Sequence, residues 1–196
     1  MKNIISDIKN KTFKKLYLFT GQEIFLEEYY LNNLINTVTD GNSDDFNTMT
    51  VSWGGIGAIW GKDVVYIFIR PQRYTYELLE KTNDFSMSFF GGEYKKELGY
   101  CGKNSGRNGD KFEVTGLTKI NLDGVECVEQ AKVNLVLKKL AYQDIDPKGF
   151  IDESIESNYN GDYHRVYIAE IVKNKSKNMA KNQNKIIYLP QWRSIR

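Results

Sequence analysis

The chain has 196 residues, 41% hydrophobic and 27% charged, and a net charge of +2, which is an ordinary globular composition with enough chain to bury a core and too little charge to mark a nucleic-acid binder. Two cysteines, Cys101 and Cys127, and one histidine, His164, are too few and too far apart for a structural zinc site, and no G-x-S-x-G elbow accompanies His164. No apolar run nears the roughly 18 residues that span a bilayer, and residues 1–15 lack the apolar region of a signal peptide, so a reduced cytoplasmic protein without a membrane partner is expected.

In chain order, residues 23–35 (EIFLEEYYLNNLI) bring Phe25, Leu26, Tyr29, Tyr30 and Leu34 near helical spacing, and DGNSDD at 40–45 is a turn cluster. NTMTVSWGG at 47–55 is expected as a polar turn whose hydroxyls and glycines let backbone approach a ligand. The β-branched and aromatic run Val64–Ile69 predicts a strand ending before Pro71, and TYELLEK at 75–81 predicts a helix with Thr75 as its N-cap. DFSMSFF at 84–90 alternates Phe85, Met87 and Phe89 with Ser86 and Ser88, the pattern of a strand with one apolar face. A short helix follows at 93–100, stopped by Gly102, and GKNSGRNGDK at 102–111 has the composition of a loop. Later strands are expected at 125–130, 133–140 and 166–172, with a polar excursion over 144–163. From Lys173 onward five Lys and two Arg stand without an acid, so this tail carries +7 and the rest of the chain −5. Many short strands without regular βαβ alternation favour an antiparallel barrel over a doubly wound sheet.

Four clusters carry candidate chemistry. GGIGAIWG fails as a dinucleotide fingerprint, because Trp60 stands where glycine or alanine is required and the strand follows the glycines. In RPQRYT, Arg70 and Arg73 flank a turn set by Pro71 at a strand-to-helix junction with Thr75, a chemically coherent phosphate site. The bland alternative pairs one arginine with an acid such as Glu77 and leaves the other solvated. CGKNSGRNGDK offers Ser105, Arg107 and Lys111 to a polyanion or is a surface loop, and Cys101 is expected to be an idle thiol. His164, in GDYHRVYIAEI, lies at a loop-to-strand junction where its charge is tunable at neutral pH, although a lone histidine is more often structural.

NTMTVSWGG (47–55), KDVVYIFIRPQRYTYELLEK (62–81), DFSMSFF (84–90), CGKNSGRNGDK (101–111) and GDYHRVYIAEI (161–171) together resemble, in order and spacing, the flavin reductase-like family of FMN-binding split-barrel proteins over roughly residues 35–172. The resemblance implies a mainly β fold with a few helices, an antiparallel split β-barrel. It divides the chain into a helical or mixed leader (1–36), an FMN-binding domain (37–172) and a basic tail (173–196). The implied function is an FMN-binding oxidoreductase, an NAD(P)H-dependent flavin reductase passing hydride from nicotinamide to flavin. The alternative is a non-catalytic FMN-binding or electron-relay protein. Met49, Thr50, Val51, Ser52 and Trp53 would lie along the isoalloxazine edge. Arg70, Pro71, Arg73, Tyr74 and Thr75, with Ser105 and Arg107, would hold the phosphate side. His164 would stand near the docked nicotinamide as the catalytic residue. A homodimer is implied, with flavin near the subunit interface. Two departures stand out: Ile35 lies where the family commonly has a bulky aromatic, and residues 1–31 resemble the opening of a DNA polymerase III delta (clamp-loader) subunit whose other domains are absent. No clamp-loader role and no nucleic-acid partner are expected.

Overall fold

The computed structural model of the protein describes residues 36–40 and 46–176. The chain divides into two compact units, Met1–Asn32 and Asn33–Arg196. The expected helix over 23–35, most of the turn cluster and everything beyond Ser176 lie outside the described residues.

The second unit is built on antiparallel strands: β1 (Asn36–Asp40), β2 (Thr48–Val51), β3 (Gly54–Ile59), β4 (Lys62–Ile69), β5 (Asp84–Phe89), β6 (Lys119–Leu122), β7 (Val125–Val128), β8 (Val133–Asp144) and β9 (Arg165–Ser176). Seven of them form one sheet in the order β2-β1-β5-β8-β9-β4-β3, and β6 and β7 form a separate hairpin. The two edge strands of the large sheet are consecutive in the chain, and that forces its shape. Laid flat, β2 and β3 would stand about 29 Å apart, six intervals at ~4.8 Å. The three residue steps from Val51 to Gly54 span at most about 11 Å. The sheet therefore rolls until its edges approach, and the Phe68 N–H donates to Trp53 C=O at 3.1 Å, extending the β3–β4 ladder by one residue toward the crossing. No ladder joins β2 to β3, so the roll stays open there.

The expected polar turn at 47–55 is therefore a strand, a two-residue crossing and the start of a second strand. Gly54 makes the close approach possible, since a Cβ on it would lie 2.4 Å from the Tyr66 carbonyl oxygen. The β3–β4 hairpin closes at Trp60 and Gly61, both at positive φ (55° and 69°), as a two-residue hairpin turn requires.

Helix α1 (Tyr74–Lys81) follows β4, α2 (Lys95–Lys103) follows β5, and α3 (Lys111–Thr115) comes next. The N-cap of α1 is Arg73, with no side-chain capping bond, which corrects the expectation for Thr75. Thr75 is buried two residues past the cap, inside the first turn, and its hydroxyl accepts from Asn47 Nδ2 at 2.8 Å. Helix α2 runs on through Gly102. The expected loop ends early because Asp110 accepts from the Phe112 N–H at 2.7 Å and starts α3, which Gly116 closes at φ 68°.

Strand β5 is buried on both faces, not one. It sits between β1 and β8, with β7 also packed against it, and its serines survive there by hydrogen bonding. Ser86 Oγ donates to Glu126 C=O at 2.7 Å and Ser88 Oγ to Asn134 Oδ1 at 2.6 Å. Ile67, Ile69, Leu79, Phe85, Leu137 and Tyr167 are among the fully buried side chains of the core. Strand β9 continues four residues past Val172, with Lys173–Ser176 paired to Val133–Val136, so the start of the basic stretch is strand. The 144–163 excursion carries two short 3-10 turns, Pro147–Gly149 and Glu153–Asn158.

Candidate functional site

The strand-to-helix junction at the end of β4 meets the start of β2 and the loop between α2 and α3. Gly106 sits so tightly on this junction that a Cβ there would lie 2.2 Å from Asn47 Oδ1 and 3.1 Å from the Tyr74 ring. Ser105 Oγ accepts from the Arg107 N–H at 3.3 Å and shapes that loop. RPQRYT and SGR, well apart in sequence, thus share one place in the fold.

The cations in this place differ in what they hold. Arg70 donates to Asp162 Oδ2 at 2.7 Å and to Asn158 C=O at 2.7 Å, with its guanidinium 5.1 Å from the Tyr159 ring centre. Arg107 pairs with Glu77 and covers the Tyr74 ring at 5.1 Å. Arg73 is exposed and has no ion pair or side-chain hydrogen bond among the described residues. It follows Pro71, also exposed, and opens α1, whose first N–H groups at Tyr74 and Thr75 have no intrahelical acceptor.

Lys111 is only 5% exposed, and its ammonium donates to two carbonyls alone, Thr48 C=O at 2.7 Å and Cys101 C=O at 2.9 Å. Burial holds its pKa below the ordinary lysine value, and the charge of Arg73 pushes the same way. A buried cation without a carboxylate is costly unless a further anion arrives. Beside it, Thr48 Oγ1 is buried without a hydrogen-bond partner. Arg73, Lys111 and Thr48 therefore leave cationic charge and a hydroxyl waiting at one junction, with Thr75 next to them through Asn47. The loop composition offered Lys111 to a polyanion but the family resemblance did not place it at the flavin, and Thr48 was not singled out at all. The signal for Lys111 was an ordinary one, a lysine after an Asp cap, and nothing in the sequence marked it as buried.

The other half of the site is flat and aromatic. Met49 and Thr50 lie half-buried and Val51 buried on β2, an edge strand whose outer side has no strand partner among the described residues. Thr50 is taken by the fold: its hydroxyl donates to Leu98 C=O at 2.6 Å. Ser52 and Trp53 are exposed at the seam. The Trp53 ring, 46% exposed, stands 4.6 Å from the imidazole of His164. His164 itself is buried, and its Nδ1 is 3.0 Å from the Tyr159 hydroxyl. Burial first, and then the charge of Arg70, hold its pKa below the ordinary 6.5, so the ring is neutral at pH 7. Arg73 also acts on the titration of His164, which ties the aromatic half to the cationic half.

An edge of unpaired backbone beside Trp53 and His164, next to unpaired donors and cations, suits a flat heteroaromatic ligand that carries an anionic arm. No curated protein matches the sequence significantly. Among solved structures, an FMN-binding protein from Thermus thermophilus superposes with a TM-score of 0.60 at 20% identity, over 85% of this chain and 82% of its own. Flavoredoxin of Desulfovibrio vulgaris (Miyazaki F) gives 0.58 at 21%, over 83% and 76%. The NADH:FAD oxidoreductase of Streptomyces globisporus C-1027 gives 0.57 at 12%, over 82% and 87%. The sequence matches the Flavin reductase like domain over residues 32–190, past the Val172 at which the motif resemblance ends. The chain belongs to the flavin reductase-like domain family.

Proposed function

We propose that the protein is an FMN-binding oxidoreductase that uses NAD(P)H as electron donor, an NAD(P)H:flavin reductase. The observation that carries this reading is the unsatisfied cradle: exposed Arg73, buried Lys111 bonded only to carbonyls, and the orphaned Thr48 hydroxyl. A phosphate monoester supplies what all three lack, a compact anion with several acceptor oxygens. Arg73, Lys111, Thr48 and Thr75, with the α1 N–H groups, would hold it. Tyr74 and Pro71 shape the turn, and Arg107 with Ser105 closes the loop over it. Arg70 contributes by holding the 158–162 segment, not by touching the phosphate.

A bound flavin supplies the hydride-accepting chemistry. The chain's own work is placement. The free edge at Met49–Val51 with Ser52 offers backbone donors and acceptors to the polar rim of a ring. Trp53 shields one side, and neutral His164 offers a hydrogen bond without adding a charge that would repel a cationic nicotinamide. No acid–base pair is needed, which accounts for the lack of one at the site. The experiment is an absorption spectrum of the purified protein with FMN, before and after anaerobic addition of NADH or NADPH. Bleaching of a bound flavin supports the reductase reading. A bound flavin that neither nucleotide bleaches leaves an FMN-binding or electron-relay protein, and failure to take up FMN sinks both.

We also infer a cytoplasmic homodimer. Strand β3 is an unpaired edge among the described residues, and its hairpin presents Ile59, Trp60 and Tyr66 to solvent, Trp60 at 61% exposure. Such an edge favours cover by a partner. Trp60→Lys is expected to shift the mass measured by light scattering from dimer to monomer. A wild-type monomer at tens of micromolar would end this inference.

A further inference from the structure

Tyr159 ends the polar excursion between β8 and β9, and its ring is enclosed on several sides. It stacks on Phe150 (centroids 6.0 Å, interplanar 19°), packs against Tyr163 at 5.0 Å, lies beneath the Arg70 guanidinium, and meets His164 edge-on at 5.5 Å. A buried phenol must place its one proton on an acceptor. Among the described residues, His164 Nδ1 at 3.0 Å is the acceptor within reach. The reverse arrangement, an Nδ1–H donating to the phenol oxygen, would leave the phenol proton without a partner. The phenol therefore donates, Nδ1 accepts, and a neutral imidazole carries its proton on Nε2. Nε2 has no partner among the described residues and is not sealed from solvent.

We propose that Tyr159 is a positioning residue that fixes His164 as an Nε2–H hydrogen-bond donor beside Trp53. The charged groups around the ring agree with a neutral imidazole. Burial opposes a positive charge there most, Arg70 and Arg73 oppose it as well, and Asp162 alone favours one. Asp162 is itself committed to Arg70, to Gln72 at 2.5 Å and to the Asn160 N–H at 3.0 Å, so it holds the segment in place instead of drawing a proton onto the ring. An Nε2–H donor suits a carbonyl or carboxamide oxygen of a docked nicotinamide. That role rests on the flavin reductase reading, whereas the tautomer does not.

His164 is the sole histidine in the sequence, so protein labelled with 15N-histidine gives one imidazole pattern in a long-range 1H–15N correlation spectrum. Above pH 7 the expected pattern has Nδ1 unprotonated and Nε2 protonated. An Nδ1–H pattern overturns the proposal with no variant needed. Tyr159→Phe keeps the ring packing and removes the donor. It is expected to give a mixture of tautomers, unchanged FMN affinity, and flavin reduction by NADH slowed about 3–10-fold in a single turnover, the worth of one hydrogen bond. A variant that keeps the pure Nε2–H form, or one with mixed tautomers and an unchanged rate, overturns the positioning role. If the variant does not fold, the wild-type spectrum still decides the tautomer. If the wild-type protein binds no flavin, the reductase reading fails while the spectrum remains a test of the Tyr159–His164 bond.

Discussion

Arg70 and Arg73 flank the same Pro-Gln pair, and by residue chemistry either one could grip a phosphate. In the folded chain Arg70 is clamped by Asp162, the Asn158 carbonyl and the Tyr159 ring, whereas Arg73 is exposed without a partner among the described residues. The same contrast separates two larger regions. Around Arg165 every guanidinium nitrogen is engaged: Asp144 takes Nε and Nη2 at 2.6 and 2.8 Å, Glu80 takes Nη1 at 2.9 Å, and Tyr76 and Tyr142 cover the guanidinium. Tyr167 adds its hydroxyl to Glu80 at 2.7 Å, and burial pushes its pKa far above the ordinary tyrosine value. Around Lys111 the opposite holds, with a buried ammonium facing carbonyls and an orphaned hydroxyl alongside. A satisfied cation cluster fastens elements together, here α1 to β8 and β9. The unsatisfied one is the place we propose for a ligand.

The largest effect that would break this contrast is on ligand retention. Lys111→Met is expected to weaken FMN binding about 10–100-fold, the worth of a charge-assisted hydrogen bond to an anion, and Arg73→Ala to act in the same range. Fluorescence titration with FMN checks both, and full retention by either variant would remove that residue from the phosphate site. Next, Arg165→Met is expected to lower stability by about 1–2 kcal/mol, discounted from a fully buried pair because Asp144 and Glu80 are partly exposed. Its FMN affinity should not change, as thermal melting and titration together would show. Thr48→Val, close in shape, is expected to leave the melting temperature equal or higher, since it removes an unpaired buried hydroxyl, and to weaken FMN about 3–10-fold.

The smallest effect concerns pH. His164 has a folded pKa below the ordinary 6.5, so the unfolded chain binds a proton before the folded one as pH falls. Stability conferred by the neutral ring is complete above pH 6.5 and is lost as pH drops below it, at no more than about 1.4 kcal/mol per pH unit. His164→Gln is expected to flatten that slope between pH 6.5 and 5 in chemical denaturation. A slope that persists unchanged would place the titrating group elsewhere.

Elements with a local signature were legible in the sequence. The β-branched run Val64–Ile69 is strand because its side chains fit a pleated, largely buried surface. Strand β7 was expected and its hairpin partner β6 was missed, although the turn between them carries a local mark, the Asp123-Gly124 pair at φ 54° and 88°, the usual two-residue hairpin signal. Thr75 was misplaced because N-cap preference is a property of one residue, whereas the position of a helix start depends on where β4 ends. The alternation in DFSMSFF predicted one polar face, but Ser86 and Ser88 are buried because another strand brings each an acceptor.

By itself, then, the sequence determined the mainly β class, most strand positions and the family to which the chain belongs. Those follow from interactions between near neighbours in the chain, which composition and spacing record. Only the tertiary structure decided that Arg70 is a clamp and Arg73 is available, that Lys111 is buried without an anion, and that Tyr159 meets His164 Nδ1. Each of these depends on partners brought together by the roll of the sheet and the return of the 144–163 excursion. A residue's type states what it can bond to, and the rolled sheet determines which partner is within 3 Å.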